Sequence, residues 1–197
     1  TNALCDTKQE HVASLLGYQT TEIPMTVEHR ELLVAKHSEL CTFLDPDDTL
    51  LTELLNTGVF ATFDIVRVRA VTGLDEKCKE ILNILVRKSE SAFSAFIHAL
   101  HATEQGHVVY ILTGQGESPV SCVRRLVLDR ARKDLIHKVD MICSSLIVEL
   151  ISNGVLTDTD KQRIEARTTN EDKVAVLVDV MARKSQLAYD NFLQALK

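Results

Sequence analysis

The apolar positions of this chain recur at helical spacing in nearly every segment between turn signals. Two stretches show the pattern most clearly, with apolar residues at i, i+3, i+4 and i+7 and charged residues on the opposite face. The apolar residues are Cys78, Ile81, Leu82 and Leu85 in one stretch, and Val174, Leu177, Val178 and Met181 in the other. The pattern predicts an all-α protein, with helices over 28–43, 47–57, 62–71, 74–88, 90–103 and 106–112. The short connections favour antiparallel packing in a compact bundle.

The two stretches lie 96 residues apart, and most of the chain repeats at the same spacing. Residues 28–101 align with 124–197 without a gap, and RKSESAFSAFIHAL at 87–100 recurs as RKSQLAYDNFLQAL at 183–196. Self-similarity at a fixed period indicates duplicated folding units. We therefore predict two tandem domains, over 28–113 and 124–197, with linkers at 18–27 and 114–123.

The N-terminal residues follow the same register. ALCDTKQEHVASLLG at 3–17 aligns with ALHATEQGHVVYILT at 99–113, so residues 1–17 are predicted to be the terminal helix of a preceding repeat. By the same alignment the second bundle lacks its own sixth helix in this sequence and keeps helices one to five. We expect the 3–17 helix to fill that position, within the chain or from a neighbouring molecule.

Local signals place the helix ends. Gly58 and Gly154 each follow the predicted end of a helix, where a left-handed residue is favoured. Thr72 and Thr168 are each followed three residues later by an acid, which predicts capping boxes at the start of the next helix.

Composition and charge narrow the function classes. The chain is 45% hydrophobic, with only seven Gly and three Pro in 197 residues, which fits a helical globular protein. A net charge of -6 gives no reason to expect nucleic acid or an anionic membrane as a partner. None of the five cysteines recurs at the 96-residue spacing, so a disulfide or zinc site intrinsic to the repeat is excluded. We expect reduced thiols and a cytoplasmic location.

The sequence shows only weak signals for a metal, phosphate-binding or catalytic site. His98 and His101 are three residues apart on a predicted helix, but their counterparts are Gln194 and Lys197 and no carboxylate cluster accompanies them. The sequence GQGES at 114–118 lacks the Lys-Ser/Thr ending of a phosphate loop and indicates a linker. The sequence offers no nucleophile elbow. We therefore expect no catalytic residue, no metal and no cofactor.

The order of elements carries a family resemblance. A short helix ending in Gly-Val-Leu/Phe is followed by an Asp-opened helix, then by a capped amphipathic helix ending in Arg-Lys-Ser, a turn, and A-F/Y-x-x-F-x-x-A-L. This order resembles the caspase recruitment domain (CARD) of the death-fold superfamily over nearly all of 28–113 and 124–197. Pyrin and death-effector domains share the six-helix plan, but no Arg-x-Asp-Leu element lies near the sixth helix, which disfavours a death-effector domain.

The charge distribution suggests where such domains would touch. Residues 45–53 carry four acids and no base, whereas residues 124–140 carry six Lys/Arg against three Asp. The CARD resemblance implies that a basic surface on helices one and four meets an acidic surface on helices two and three. The basic candidates are Arg124, Arg125, Arg130, Arg132, Lys133, Arg183 and Lys184, and the acidic candidates are Asp45, Asp47, Asp48, Glu53 and Asp64.

Three functions are compatible with this sequence. The resemblance implies a non-enzymatic homotypic module that binds other CARD proteins or copies of itself as a homo- or hetero-oligomer, in apoptotic or innate-immune signalling. The second is the regulatory prodomain of an initiator caspase or nucleotide-binding receptor, whose chemistry lies outside this sequence. The third is a purely structural helical repeat array. Catalytic or nucleotide-binding sequence after Lys197 would favour the second, and failure to bind isolated CARDs would favour the third.

Overall fold

A computed structural model describes residues 23–139 and 145–197. These residues form twelve α-helices and no β-strand, which confirms the all-helical prediction. The helices are α1 (Val27–Ala35), α2 (His37–Phe43), α3 (Asp48–Asn56), α4 (Thr62–Ala70), α5 (Leu74–Leu85), α6 (Glu90–Ala102), α7 (Gly106–Thr113), α8 (Cys122–Lys138), α9 (Leu146–Ser152), α10 (Asp158–Glu165), α11 (Asn170–Met181) and α12 (Gln186–Ala195). The predicted terminal helix at 1–17, its docking position, Cys5 and Cys143 lie outside the described residues.

The helices pack in two sets. In the first unit (residues 23–113), α2 packs against α5 and α7, α3 against α4 and α6, and α6 against α7. In the second unit (the described residues from 118 onward), α11 packs against α8 and α10, and α9 against α12. Both cores are apolar, with Leu40, Leu54 and Phe96 fully buried in the first unit and Phe192 in the second. The helices of each set therefore enclose apolar side chains of their own.

The first helix differs between the units. The helix predicted over 28–43 is interrupted at Lys36, which separates α1 from α2, whereas α8 runs unbroken. The buried leucines of α1 and α8, Leu33 and Leu128, lie 95 residues apart, although α5 and α11 start 96 apart at Leu74 and Asn170. The gapless alignment is therefore wrong by one residue in the first helix, and the break at Lys36 lies in the stretch that is one residue shorter.

Both linkers enter their units in the same way. Pro24 forms an isolated antiparallel bridge with Ser89, and Pro119 forms one with Ser185, the counterpart of Ser89. The next residue in each linker is buried, and the one after it caps the following helix. The last residues of each predicted linker therefore belong to the fold.

The predicted capping boxes are wrong by one residue. The N-cap of α5 is Gly73, with φ +98°, and not Thr72. The N-cap of α11 is Thr169, whose hydroxyl accepts a hydrogen bond from the Asp172 N–H at 3.1 Å, and not Thr168. Adjacent threonines at 168 and 169 offer the same local chemistry, so sequence alone does not choose between them.

The glycine prediction is confirmed. Gly58 follows the C-cap of α3 and has φ +73°, and Gly154 follows the C-cap of α9 and has φ +66°. Both positions lie in the left-handed region, where an L side chain is strained.

A buried ion pair recurs in both units. Lys88 Nζ lies 2.6 Å from Asp64 Oδ2, and Lys184 Nζ lies 2.6 Å from Asp160 Oδ2. The Asp64 and Asp160 carboxylates also accept the N–H of the residue preceding their helix, Ala61 and Thr157, at 3.0 Å. The recurrence of Asp and of the Lys of Arg-Lys-Ser in the sequence is thus explained by a structural contact within each unit.

Candidate functional site

The two units meet through a charged contact. Arg163, on α10 of the second unit, places Nη1 2.5 Å from Oδ2 of Asp45 in the α2–α3 connection of the first unit. The two side chains are only 30% and 19% exposed, so the pair is partly shielded from water. Burial lowers the pKa of Arg163, but the charge and hydrogen bond of Asp45 more than compensate and leave that pKa raised. The guanidinium stays charged where it meets the first unit.

A second arginine reaches the C-terminal end of α2. Arg183 Nη1 donates to the Leu44 carbonyl at 2.9 Å and to the Cys41 carbonyl at 3.4 Å, and its Nη2 lies 3.3 Å from Asp75 Oδ1. The last carbonyls of a helix lack partners within it and carry a partial negative charge. The second unit therefore supplies a cation that completes this end of α2.

Less polar contacts lie beside these arginines. The Arg125 guanidinium lies 5.2 Å from the centre of the Phe43 ring, within cation–π range. Thr49 and Thr159 hydroxyls are 3.0 Å apart across the same boundary. Asp47 caps α3 by accepting the Leu50 N–H at 2.8 Å, and burial raises its pKa, as does the neighbouring charge of Asp45.

The turn before α7 also lies at the boundary. His107 is 5% exposed, and its Nε2 lies 3.4 Å from the Phe43 carbonyl. Burial lowers the pKa of His107 to about 4, although the backbones of Phe43 and Arg183 favour the charged form. A small cavity of about 70 Å³ here is lined by the α6–α7 turn of the first unit and by Lys184 and Gly154 of the second. The imidazole is therefore a neutral packing group between the units.

Several predicted basic residues pair within their own unit. Arg124 is ion-paired with Asp190 on α12 and lies 5.0 Å from the centre of the Tyr189 ring. Arg132 pairs with Asp179 on α11 at 2.5 Å, and Lys184 is held by Asp160. Arg183 and Arg125 contact the first unit. These contacts give all five residues a place in the packing of this chain.

Two predicted basic residues remain on the outside. Arg130 and Lys133 are exposed on α8 and form no ion pair with any residue that the structure describes. The exposed apolar side chains of the same helix are Val123, Leu126 and Val127, which are 67%, 50% and 49% exposed. With Arg130 they occupy i, i+3, i+4 and i+7, and thus lie along one face of α8. We call Val123, Leu126, Val127, Arg130 and Lys133 the α8 outer face.

The predicted acidic residues are also divided. Asp45 and Asp47 lie at the boundary between the units, and Asp64 is buried with Lys88. Asp48 is exposed and pairs with Arg69 at 2.8 Å, while Glu53 is half-buried on α3. Only Asp48 and Glu53 therefore stand apart from both the core and the boundary between units.

Arg163 was not among the candidates predicted from the sequence. The residue that pairs with its counterpart in the first unit indicates its role. Its counterpart Arg67 is ion-paired with Glu80 inside the first unit. The counterpart of Glu80 is Val176, which leaves Arg163 without that partner. Comparison of the two copies at this pair of positions would have identified the residue that reaches across.

Other kinds of site find no support in the part of the chain that the structure covers. Residues 23–139 and 145–197 hold no cluster of three or more His, Cys, Asp or Glu side chains placed to bind a metal ion. Within the same ranges, no helix has the length and apolarity that crossing a bilayer requires. The thiols of Cys41, Cys78 and Cys122 are free, and burial raises the pKa of Cys78 to about 12.

Comparison with known proteins gives a family match within the second unit. The family model of the caspase recruitment domain matches residues 125–197. No curated protein matches the chain. The matched segment contains most of α8 and all of α9 to α12, and thus includes Arg130 and Lys133 of the α8 outer face. A CARD is a protein-interaction domain and carries no catalytic centre.

Proposed function

We propose that this protein is a homotypic interaction module made of two CARD copies in tandem, which binds other CARDs or further copies of itself. It would do so in the cytoplasm, within assemblies of apoptotic or innate-immune signalling. The family match over 125–197 supports the second copy. The same helix spacing, the same buried Lys–Asp pair and the same linker bridge in residues 23–113 support the first copy.

The observation that carries the proposal is the α8 outer face. It combines three exposed apolar side chains with two cations that have no ion-pair partner in 23–139 or 145–197, while the neighbouring arginines are occupied within the chain. Exposed apolar residues next to charges are typical of protein-binding surfaces. An acidic surface of another CARD is the partner whose charge complements Arg130 and Lys133.

The contact within the chain supports the same mode of association. The first unit contributes Asp45, and the second contributes Arg163, so the two units already meet by opposite charges on different faces. Such a contact between unlike faces does not close on itself and can be continued by further molecules. The α8 outer face and Asp48 are exposed and take no part in the Arg163–Asp45 pair. Tandem linkage then raises the local concentration of the second binding surface.

Charge reversal on the α8 outer face tests the proposal. The double variant Arg130→Glu, Lys133→Glu should weaken self-association or capture of an isolated CARD at least about tenfold, because like charges then face each other. Sedimentation velocity and pull-down with purified CARDs give the two readouts. Arg167→Glu, an exposed change of the same sign away from α8, is the matched control. Binding that is unchanged in the double variant, with circular dichroism confirming its fold, would exclude this surface.

A further inference from the structure

A groove in the first unit has a counterpart in the second unit that is already occupied. Gly58, Val59, Lys88, Ser89 and Ala92 line an open groove of about 540 Å³. Their counterparts 96 residues later are Gly154, Val155, Lys184, Ser185 and Ala188, which line the small cavity of about 70 Å³ described above. The volumes differ because another part of the chain enters the second groove.

The segment that enters the second groove is the α6–α7 turn of the first unit. Glu104, Gly106 and His107 complete the lining of the small cavity, together with Glu117 from the linker. His107 is only 5% exposed where it lines this cavity. The α6–α7 turn, with the first residues of α7, thus contacts the unit that follows it in the chain.

The sequence supplies the corresponding segment for the first groove. Residues 3–17 align with 99–113, and this alignment places Thr7, Gln9 and His11 on Thr103, Gln105 and His107. The unit that follows residues 3–17 is the first unit. Its groove among the described residues is open, and the chain offers one segment of the matching sequence before it.

The two linkers are anchored to their units by the same backbone contact. The Ile23 carbonyl accepts the Glu90 N–H at 2.9 Å, as the Ser118 carbonyl accepts the Gln186 N–H at 2.9 Å. In both units this anchor is adjacent to the serine that lines the groove. The connection from the aligned segment to the anchor differs by one residue, since Gly17 precedes Ile23 by six positions and Thr113 precedes Ser118 by five. Six positions of extended chain span at most about 20 Å, which limits how far from this anchor the segment can bind.

We propose that residues 3–17 of the same chain dock in the groove formed by Gly58, Val59, Lys88, Ser89 and Ala92, as the α6–α7 turn docks on the second unit. This places the segment on the first unit, and not at the open end of the second unit that sequence alone suggests. The groove is then an interaction surface between consecutive repeats. The inference depends on the internal repeat and is independent of binding to other CARDs.

Hydrogen exchange of the full 197-residue chain tests the docking. Ala95→Arg places a long cation on a half-buried wall of the groove, whereas Ser94→Arg alters the exposed neighbouring position outside it. Amides of residues 3–17 should exchange at least about tenfold more slowly in the wild type and in Ser94→Arg than in Ala95→Arg. Equal exchange in the wild type and Ala95→Arg would overturn the proposal.

A spin label tests the position of the segment without a substitution in the groove. The label is attached to Cys5 in a full chain carrying Cys122→Ser and Cys143→Ser, while Cys41 and Cys78 are buried. Amide signals of Gly58, Ser89 and Ala92 should broaden. Broadening around Ile136, Ala195 and Leu196 instead would place the segment at the open end of the second unit and overturn the proposal. Self-association measured in the same sample reports on CARD binding separately.

Discussion

Arg163 Nη1 lies 2.5 Å from Asp45 Oδ2, so an arginine of the second unit is paired with a carboxylate of the first. The corresponding arginine of the first unit, Arg67, is instead paired with Glu80 of its own unit. Val176 stands at the position of Glu80 in the second unit. Where the acid is present, the arginine pairs within its own unit, and where valine replaces the acid, the arginine pairs with the other unit.

Removal of either charge should loosen the contact between the units. In a double-mutant cycle of Asp45→Asn and Arg163→Gln, we expect a coupling energy of about 1–2 kcal/mol, because the pair is mostly shielded from water but not fully buried. Urea denaturation of the four proteins gives the value. The same cycle on Asp48 and Arg69, which are 79% and 55% exposed, is the control and should give less than about 0.5 kcal/mol. Equal coupling in the two cycles would show that Asp45 does not link the units.

An acid at position 176 should redirect Arg163. In Val176→Glu, the new carboxylate lies where Glu80 lies in the first unit and competes with Asp45 for the guanidinium. We expect looser coupling of the units, seen as a larger radius of gyration in small-angle scattering and faster exchange of the Asp45–Asp48 amides. Val176→Gln has the same shape without the charge and should leave both readouts close to wild type. If Val176→Gln matches the effect of Val176→Glu, loss of packing and not competition is the cause.

The helices follow directly from the spacing of the apolar residues, since that spacing is a local property of the sequence. The amphipathic stretch 74–88 is the clearest example, and α5 covers Leu74–Leu85. The break at Lys36 is different, because both halves of that helix carry good helical patterns. It accompanies a one-residue change of register relative to α8, which the buried positions of Leu33 and Leu128 reveal.

The charged surfaces were less predictable than the helices. Sequence places Asp64 and Lys184 among exposed charges, yet each is bonded inside its own unit. The sequence pattern of a charged helix residue does not show whether the charge is solvated by water or paired with a buried counter-ion. Arg130 and Lys133 remain predicted contact residues. The partner of Arg163 depends on how two units are placed against each other, and a local pattern does not encode that.

His107 should make the protein sensitive to acid. Burial lowers its pKa from 6.5 to about 4 in the folded state, so the unfolded chain binds the extra proton first as pH falls. The neutral imidazole therefore makes its full contribution to the free energy of unfolding above pH 6.5. This contribution is lost progressively as the pH falls from 6.5 to 4. From the shift of the pKa, the loss is about 3 kcal/mol at most.

Urea midpoints at pH 7.5, 6.0 and 5.0 measure this dependence. His107→Gln keeps a polar side chain at the position and removes the titrating group, so its stability should change less over the same range. His98→Gln, an exposed histidine on α6, is the matched control and should keep the wild-type slope. A slope that persists in His107→Gln would assign the acid sensitivity to another group.

Loss of one partner should destabilise the protein more in the Lys184–Asp160 pair than in the Lys88–Asp64 pair of the first unit. Asp160→Asn leaves the ammonium of Lys184 without a charge partner in a site where the Asp160 side chain is only 3% exposed, and should cost about 3 kcal/mol. Asp64→Asn removes the same pair in the first unit, where the carboxylate is 12% exposed and water can reach Lys88 more easily, so the cost should be smaller. Equal losses would show that burial does not set the penalty.

Replacement of the lysine as well separates the charge effect from the capping effect. Asp160→Asn with Lys184→Met removes both charges and should recover most of the lost stability, since an apolar side chain tolerates this burial. The Asp160 carboxylate accepts hydrogen bonds from the Thr157 N–H and hydroxyl, both at 3.0 Å, at the start of α10. Asn keeps an acceptor oxygen there, so the stability that is not recovered measures the loss of the negative charge in the first turn. We expect this remaining loss to be about 0.3–1 kcal/mol, the usual contribution of an acid at that end of a helix. No recovery in the double variant would mean that the Asp160 carboxylate stabilises α10 alone, and that Lys184 recurs for another reason.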